Sequence, residues 1–314
     1  MRPAWSVILL TTLLGAGQGL FLAVYAVEAA AHLRLSDASA SGRLQAAGAV
    51  LSVGLLAAGL AASFFHLGRP ERAWRAVAMW RTSWLSREVI VLPAFMACVA
   101  LYASGHWLGW PAPTVLIGAV GVVLCLALFL CTGMIYACLK FLQEWHTPLT
   151  VLNFFLLGSA SGVVLAAALA ASLDPQRLPA LAGWGAAATV AGLAGRVASL
   201  VRNARLRRRS SLQTALGIRH PRIRQTAQGF TGGSFNTREF FHGRTDGWLR
   251  MLQWGFLAGA FALPLALLGL AVARASPLAA AAAFVVQYAG LLAERWHFFA
   301  QANHPQNLYY QRVS

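Results

Sequence analysis

Residues 113–139 read Pro-Thr-Val-Leu-Ile-Gly-Ala-Val-Gly-Val-Val-Leu-Cys-Leu-Ala-Leu-Phe-Leu-Cys-Thr-Gly-Met-Ile-Tyr-Ala-Cys-Leu, twenty-seven positions without a charged side chain. At a rise of about 1.5 Å per residue, roughly 20 such residues cross the ~30 Å hydrocarbon layer of a bilayer. Backbone inside lipid must satisfy its own hydrogen bonds, which leaves helices and closed barrels. This run has none of the apolar–polar alternation of a barrel strand, so it is a helix. Working outward, seven more runs qualify, at 5–31, 44–65, 88–105, 148–172, 180–200, 249–272 and 277–297. The 314 residues are 58% hydrophobic and 11% charged, where a soluble domain is roughly 25% charged. The expectation is an all-α polytopic membrane protein with eight transmembrane helices in a single membrane domain spanning 1–314.

The first run is too long for a signal-peptide apolar region, which covers about 7–15 residues. It also carries Gln18, Tyr25 and Glu28, and it is read as a retained first helix. The net charge of +16 need not mean nucleic acid, and its placement argues against it. With eight spans, one side of the membrane receives 21 of the basic residues and the other receives Arg34, Arg43, Arg177 and Arg274. Loops rich in Lys and Arg stay in the cytoplasm. Both termini and the loop between the second and third runs are therefore expected on the cytoplasmic face of a bacterial inner membrane.

The stretch 201–248 is the one long loop, and it is expected to be cytoplasmic. Its basic cluster (Arg202, Arg205, Arg207, Arg208, Arg209) suits topology and contact with anionic membrane lipid. Its Gly-rich, aromatic continuation at 225–242 suits docking of a soluble partner. Cys98, Cys125, Cys131 and Cys138 fall in apolar runs without Cys-x-x-Cys spacing; iron–sulfur and zinc sites need clustered thiolates, so no metal site is expected.

Residues 64–90 concentrate the chemistry: Phe-Phe-His-Leu-Gly-Arg-Pro-Glu-Arg-Ala-Trp-Arg-Ala-Val-Ala-Met-Trp-Arg-Thr-Ser-Trp-Leu-Ser-Arg-Glu-Val-Ile. His66 closes the second helix and Glu88 opens the third on the same face. Neutral imidazole donates a hydrogen bond to a carbonyl and titrates near neutral pH, and a partly buried carboxylate exchanges protons. Arg69 and Arg81 supply positive charge to a reduced ring, with Trp74, Trp80 and Trp84 as covering rings. These are the groups a two-electron, two-proton quinone reaction requires. The candidate catalytic pair is His66 and Glu88; the candidate quinone-binding set adds Arg69, Trp80, Arg81 and Trp84.

A transmembrane b-haem needs axial histidines inside helices. All eight histidines fall at run ends or in loops, so a haem-free chain is expected. Glu28 and His32, four apart near the opposite face, are read as a structural pair. Gln18 and Gln287 are expected to make interhelical hydrogen bonds. The aromatic tail 294–310 reads as an interfacial anchor with partner contact.

His66-Leu-Gly-Arg-Pro with Arg-Ala-Trp, Leu-Ser-Arg-Glu at 85–88, and the closing Glu-Arg-Trp…Asn-Leu-Tyr-Tyr resemble the membrane-anchor subunits of the dimethyl sulfoxide reductase (DmsC) family over the whole chain. That resemblance implies a haem-free, quinone-reactive anchor using ubiquinone or menaquinone. It implies a ferredoxin-like [4Fe-4S] subunit docked on the anchor and a molybdopterin catalytic subunit beyond it. The family's histidine and glutamate fall on His66 and Glu88. The cytoplasmic placement of the motif, together with the long loop, is similar to the cytoplasmic sulfite dehydrogenase branch, in which electrons from sulfite enter the quinone pool. Two rivals stay open: a quinol-oxidising anchor of an S- or N-oxide reductase, and a membrane transporter. No second copy of the His66–Glu88 pattern supports the latter.

Overall fold

The structure is a computed structural model that describes residues 1–33, 42–110, 114–224, 226 and 241–309. Among the described residues it is all-helical, with eight helices long and apolar enough to cross a membrane. These are α1 Trp5–His32, α2 Gly42–Phe64, α3 Trp84–Leu108, α4 Thr114–Ala137, α5 Pro148–Leu173, α6 Leu178–Ala204, α7 Asp246–Ala273 and α8 Pro277–Ala300.

Cap chemistry sets several starts. Ser83, Thr147, Thr245 and Ser276 each turn a side-chain oxygen onto a backbone N–H of the first helical turn, and Pro148 and Pro277 occupy first positions where no amide is missed. The Ser83 cap starts α3 four residues earlier than hydropathy suggests, because Trp84-Leu-Ser-Arg is helical but not uniformly apolar. Glu88 therefore lies a full turn inside the helix rather than at its opening.

The helices form two rings of like connectivity. In the first, α1, α2, α3 and α4 pack in order and α4 returns to α1; in the second, α5 to α8 do the same and α8 returns to α5. The rings meet where α1 crosses α5, flanked by α4 on α5 and α8 on α1. That crossing is a contact of glycines spaced four apart, Gly15 and Gly19 on α1 with Gly158 and Gly162 on α5. A Cβ on Gly162 would lie 2.0 Å from the Leu20 nitrogen, and one on Gly19 would lie 2.3 Å from the Gly158 oxygen. Small residues on both partners let the backbones touch, the usual source of helix affinity where lipid removes any hydrophobic gain.

The expected polar links between helices are present. Gln18 Nε2 donates to the Cys125 carbonyl at 3.1 Å. Gln287 Nε2 donates to Thr189 Oγ1 at 2.9 Å and to the Ala260 carbonyl at 3.3 Å. The second bond has a specific cause: α7 widens into a π turn at Ala258–Ala262, and Pro264 has no amide to give the Ala260 carbonyl in α register.

Two sequence expectations are corrected. Glu28 does not pair with His32, which is exposed. Its buried carboxylate turns inward and accepts from Tyr102 Oη at 2.5 Å and Thr114 Oγ1 at 2.6 Å, with His106 Nε2 at 3.3 Å. Helices α3 and α4 offer three donors there, whereas His32 lies in the last turn, facing out. Arg196 and Arg295, counted among the basic residues of one membrane face on a reading of sequence alone, are helical and only 1% and 5% exposed. The charge bias keeps its sign without them.

Candidate functional site

The segment before α3 is an amphipathic 3-10 helix, Pro70–Met79, that packs on α3. Its apolar and aromatic side chains stay outside: Trp74, Met79 and Trp80 are 70%, 62% and 52% exposed. Each of three arginines lies over the ring of a nearby tryptophan. Arg75 is 5.5 Å from the Trp74 centroid, Arg81 5.4 Å from Trp80, and Arg87 4.2 Å from Trp84. Tryptophan offers a cation the best ring face, and the three pairs line residues 74–87 as an Arg–Trp layer.

Arg87 organises this layer. From the first turn of α3 its Nε donates to the Trp80 carbonyl at 2.9 Å and its Nη2 to the Arg81 carbonyl at 2.7 Å. One planar fork therefore ties the approach loop to the helix and sets Trp80 and Arg81 beside Trp84. A lysine, with a single charged nitrogen, would not bridge both carbonyls from that stacked position.

One residue further on, Glu88 is buried. Thr132 on α4 donates its hydroxyl to Glu88 Oε1, while Oε2 has no hydrogen-bond partner among the described residues. Pro93, inside α3, lacks the amide that would bond the Val89 carbonyl, which loosens the helix next to the carboxylate. Tyr136, a turn beyond Thr132, lies within electrostatic reach of both Glu88 and Arg295. Its ring stacks on Phe154 with centroids 5.4 Å apart, and the Arg295 guanidinium lies 3.9 Å from the same Phe154 ring. The tyrosine thus joins the Glu88 region to the second ring of helices.

His66 lies two residues past the end of α2, in an exposed turn, and Arg69 precedes the 3-10 helix. No hydrogen bond or ion pair joins either of them to Glu88 among the described residues. Although His66 as a residue is exposed, atoms packed around its ring reduce solvation and hold the imidazole below its ordinary value. The structure thus joins Trp80, Arg81 and Trp84 through Arg87, with Glu88 the next residue along α3, and leaves His66 and Arg69 on the adjoining turn.

Thr132, Tyr136 and the Arg87 fork are not evident from the chemistry of 64–90 alone. Hydroxyls at 132 and 136 on one face of an otherwise apolar helix were the available signal. A second group escaped the sequence altogether. Arg196 Nε lies 2.9 Å from Glu294 Oε1, with Arg295 Nε 3.8 Å from Glu294 Oε2 and Arg196 Nη2 3.2 Å from His297 Nδ1. All four side chains are buried, so the expected interfacial tail begins as an ionic core between α6 and α8.

Among the described residues no group of three or more His, Cys, Asp or Glu is arranged to hold a metal ion, and all four cysteines are free. Residues 225 and 227–240, where most of the expected docking sequence falls, lie outside the described residues. Of the 201–248 segment, α6 takes the start up to Ala204, a short helix covers Leu212–Leu216, and α7 begins at Asp246.

Residues 1–216 match the family model described as the DMSO reductase anchor subunit (DmsC). The chain is also 54% identical, over the full length of both, to a subunit of the sulfite dehydrogenase of Allochromatium vinosum.

Proposed function

Because the chain belongs to the DMSO reductase anchor-subunit (DmsC) family, we propose that it is the quinone-reactive membrane anchor of a molybdenum/iron–sulfur oxidoreductase. Electrons arrive from a ferredoxin-like [4Fe-4S] subunit, itself fed by a molybdopterin subunit, and leave on a membrane quinone. The full-length likeness to a sulfite dehydrogenase subunit favours sulfite as their source. The family membership and the eight spanning helices make this chain a multi-pass membrane subunit of an oxidoreductase. Its place in a bacterial inner membrane, with both termini and the partners on the cytoplasmic face, rests on the basic loops.

The observation that carries the reading is Glu88. A buried carboxylate in a membrane helix is costly and by default functional, and this one directly follows Arg87 on α3, with Oε2 free of hydrogen-bond partners among the described residues. The residues fit a quinone. His66, neutral at physiological pH because its pKa is lowered, donates a hydrogen bond from the aqueous side of the site. Glu88 holds a proton and exchanges it, with Thr132 fixing the carboxylate rotamer. Arg81 and Arg69 favour negative charge on a bound ring, and Trp80 and Trp84 cover it. The quinone supplies the two-electron chemistry when bound.

A complex purified with this chain and assayed on sulfite against S- and N-oxides tests the assignment. Sulfite-dependent quinone reduction supports it. Quinol-dependent sulfoxide reduction without sulfite oxidation replaces it with the reverse reaction. A reduced-minus-oxidised spectrum with haem bands would contradict the haem-free expectation.

A further inference from the structure

At the end of the bundle that carries the 64–84 loop, a cavity of about 350 Å³ opens between three separate pieces of chain. Its floor is the loop joining α4 to α5, including Lys140 and Glu144. One wall follows α6 and carries Arg208 and Arg209; the other is the tail after α8, with His304 and Asn307. The two walls touch through the short helices Leu212–Leu216 and Gln306–Tyr309. The pieces are tied down: Arg202 Nη1 donates to the Gln143 carbonyl at 3.1 Å, the Arg209 amide donates to Gln143 Oε1 at 3.3 Å, and Asn303 Nδ2 donates to Glu144 Oε1 at 3.2 Å.

Two features mark the cavity as built for a ligand. Lys140, Arg208 and Arg209 converge on it with no carboxylate paired to any of them among the described residues. Asn307, only 7% exposed, has neither its amide nitrogen nor its amide oxygen hydrogen-bonded among the described residues. Leaving a buried amide unpaired is costly, so the native state is expected to fill it.

The chemistry selects the filler. An unpaired amide offers one acceptor and a donor pair, the complement of a peptide group's N–H and C=O. A free phosphate offers acceptors alone and would leave Asn307 Oδ1 unsatisfied, so it fits poorly. The cations ask for carboxylates. The cavity also tops the bundle end, beyond the last residues of α4 and α6, rather than its lipid-facing side.

We propose that this cavity is the socket for an extended acidic segment of the soluble electron-transfer subunit, with its backbone bonded to Asn307 and its carboxylates to Lys140, Arg208 and Arg209. The inference rests on the anchor reading and names the surface by which the partner is held.

The test uses the whole complex, captured through this chain and reconstituted in nanodiscs of zwitterionic lipid. Retention of the soluble subunits is measured as salt rises. The triple variant Lys140→Glu/Arg208→Glu/Arg209→Glu and, separately, Asn307→Leu are each expected to weaken retention about tenfold, roughly 1.4 kcal/mol. Arg219→Glu/Arg222→Glu, exposed cations elsewhere in the same loop, is expected to retain the soluble partners as the native chain does. Native-like retention by both cavity variants, or equal loss from the control pair, overturns the proposal. So does native retention that appears only when phosphatidylglycerol is added, which makes the occupant a lipid. His66 and Glu88 are untouched, so these outcomes leave quinone reduction by the native complex intact. Failure of the anchor reading shows instead as no soluble partner accompanying the native chain.

Discussion

Glu88 on α3 accepts a hydrogen bond from the hydroxyl of Thr132 on α4. This bond fixes the one buried carboxylate that stands behind the Arg–Trp layer. Thr132→Val keeps the shape and removes the donor, at a cost of about 1–3 kcal/mol to the arrangement. Quinone-coupled turnover is expected to fall about tenfold, while turnover with a soluble dye that takes electrons from the partner subunits stays unchanged. Equal rates in both assays would remove Thr132 from the site.

Arg87 spans two carbonyls and a ring, so Arg87→Lys is expected to loosen the approach loop although it keeps the charge. The expected result is a raised apparent KM for quinone with a smaller change in kcat, because the loop positions Trp80 and Arg81 rather than exchanging protons. A drop in kcat alone would place Arg87 in the chemistry itself.

The His66 imidazole titrates below its ordinary value of 6.5. Neutral donor is therefore the form present at pH 7, and protonation is reached only at a lower pH than for a free imidazole. The acid limb of quinone-coupled activity that depends on His66 is expected below pH 6.5, and His66→Gln is expected to abolish that limb. An acid limb unchanged in His66→Gln would assign it to another group.

The α1–α5 crossing is the mechanical centre of the bundle. Gly162→Ala places a Cβ about 2.0 Å from the Leu20 nitrogen, and two backbones must separate to admit it. A loss of stability of about 1–3 kcal/mol or more is expected, read as a lower unfolding temperature in detergent. Gly54→Ala, where an added Cβ meets nothing within 4 Å, is the control and is expected to be neutral. Equal effects would mean that the close approach is not limiting.

Glu294 bridges Arg196 and Arg295 in the second ring. Removing it in Glu294→Ala leaves two buried guanidinium groups uncompensated, at an expected cost of about 3–5 kcal/mol. Restoring part of that stability by Arg196→Met in the same chain would confirm that the loss is electrostatic. No recovery would mean that Glu294 serves packing instead.

What the sequence disclosed and what it hid divide by range. Long apolar runs placed all eight helices, because a span must satisfy its own backbone whatever its neighbours are. Gln18 and Gln287 declared themselves by being polar in such runs. Their partners, a Cys125 carbonyl and an Ala260 carbonyl freed by Pro264, depend on which helices meet. For the same reason Glu28 was matched with His32 on its own helix, when its donors come from α3 and α4. Arg196 and Glu294 are about a hundred residues apart, and each looks like a helix-end charge until α6 and α8 are placed in one ring, where the two side chains meet. The Gly15/Gly19 and Gly158/Gly162 spacing was legible, but only the crossing shows that the two pairs face each other. At the candidate site, Glu88 and the Arg–Trp pattern were readable as local sequence, whereas Thr132 and Tyr136 arrive from another helix.

Proton exchange between Glu88 and a membrane quinone is tested most directly by one comparison. The assembled complex carrying Glu88→Ala is assayed for substrate-driven reduction of quinone and of a soluble dye, after the soluble partners are confirmed to be present. Quinone reduction is expected to fall by about two orders of magnitude or more, within the range lost with a general acid–base group, while dye reduction persists. Quinone reduction at the native rate in that assembled variant would contradict the role of Glu88.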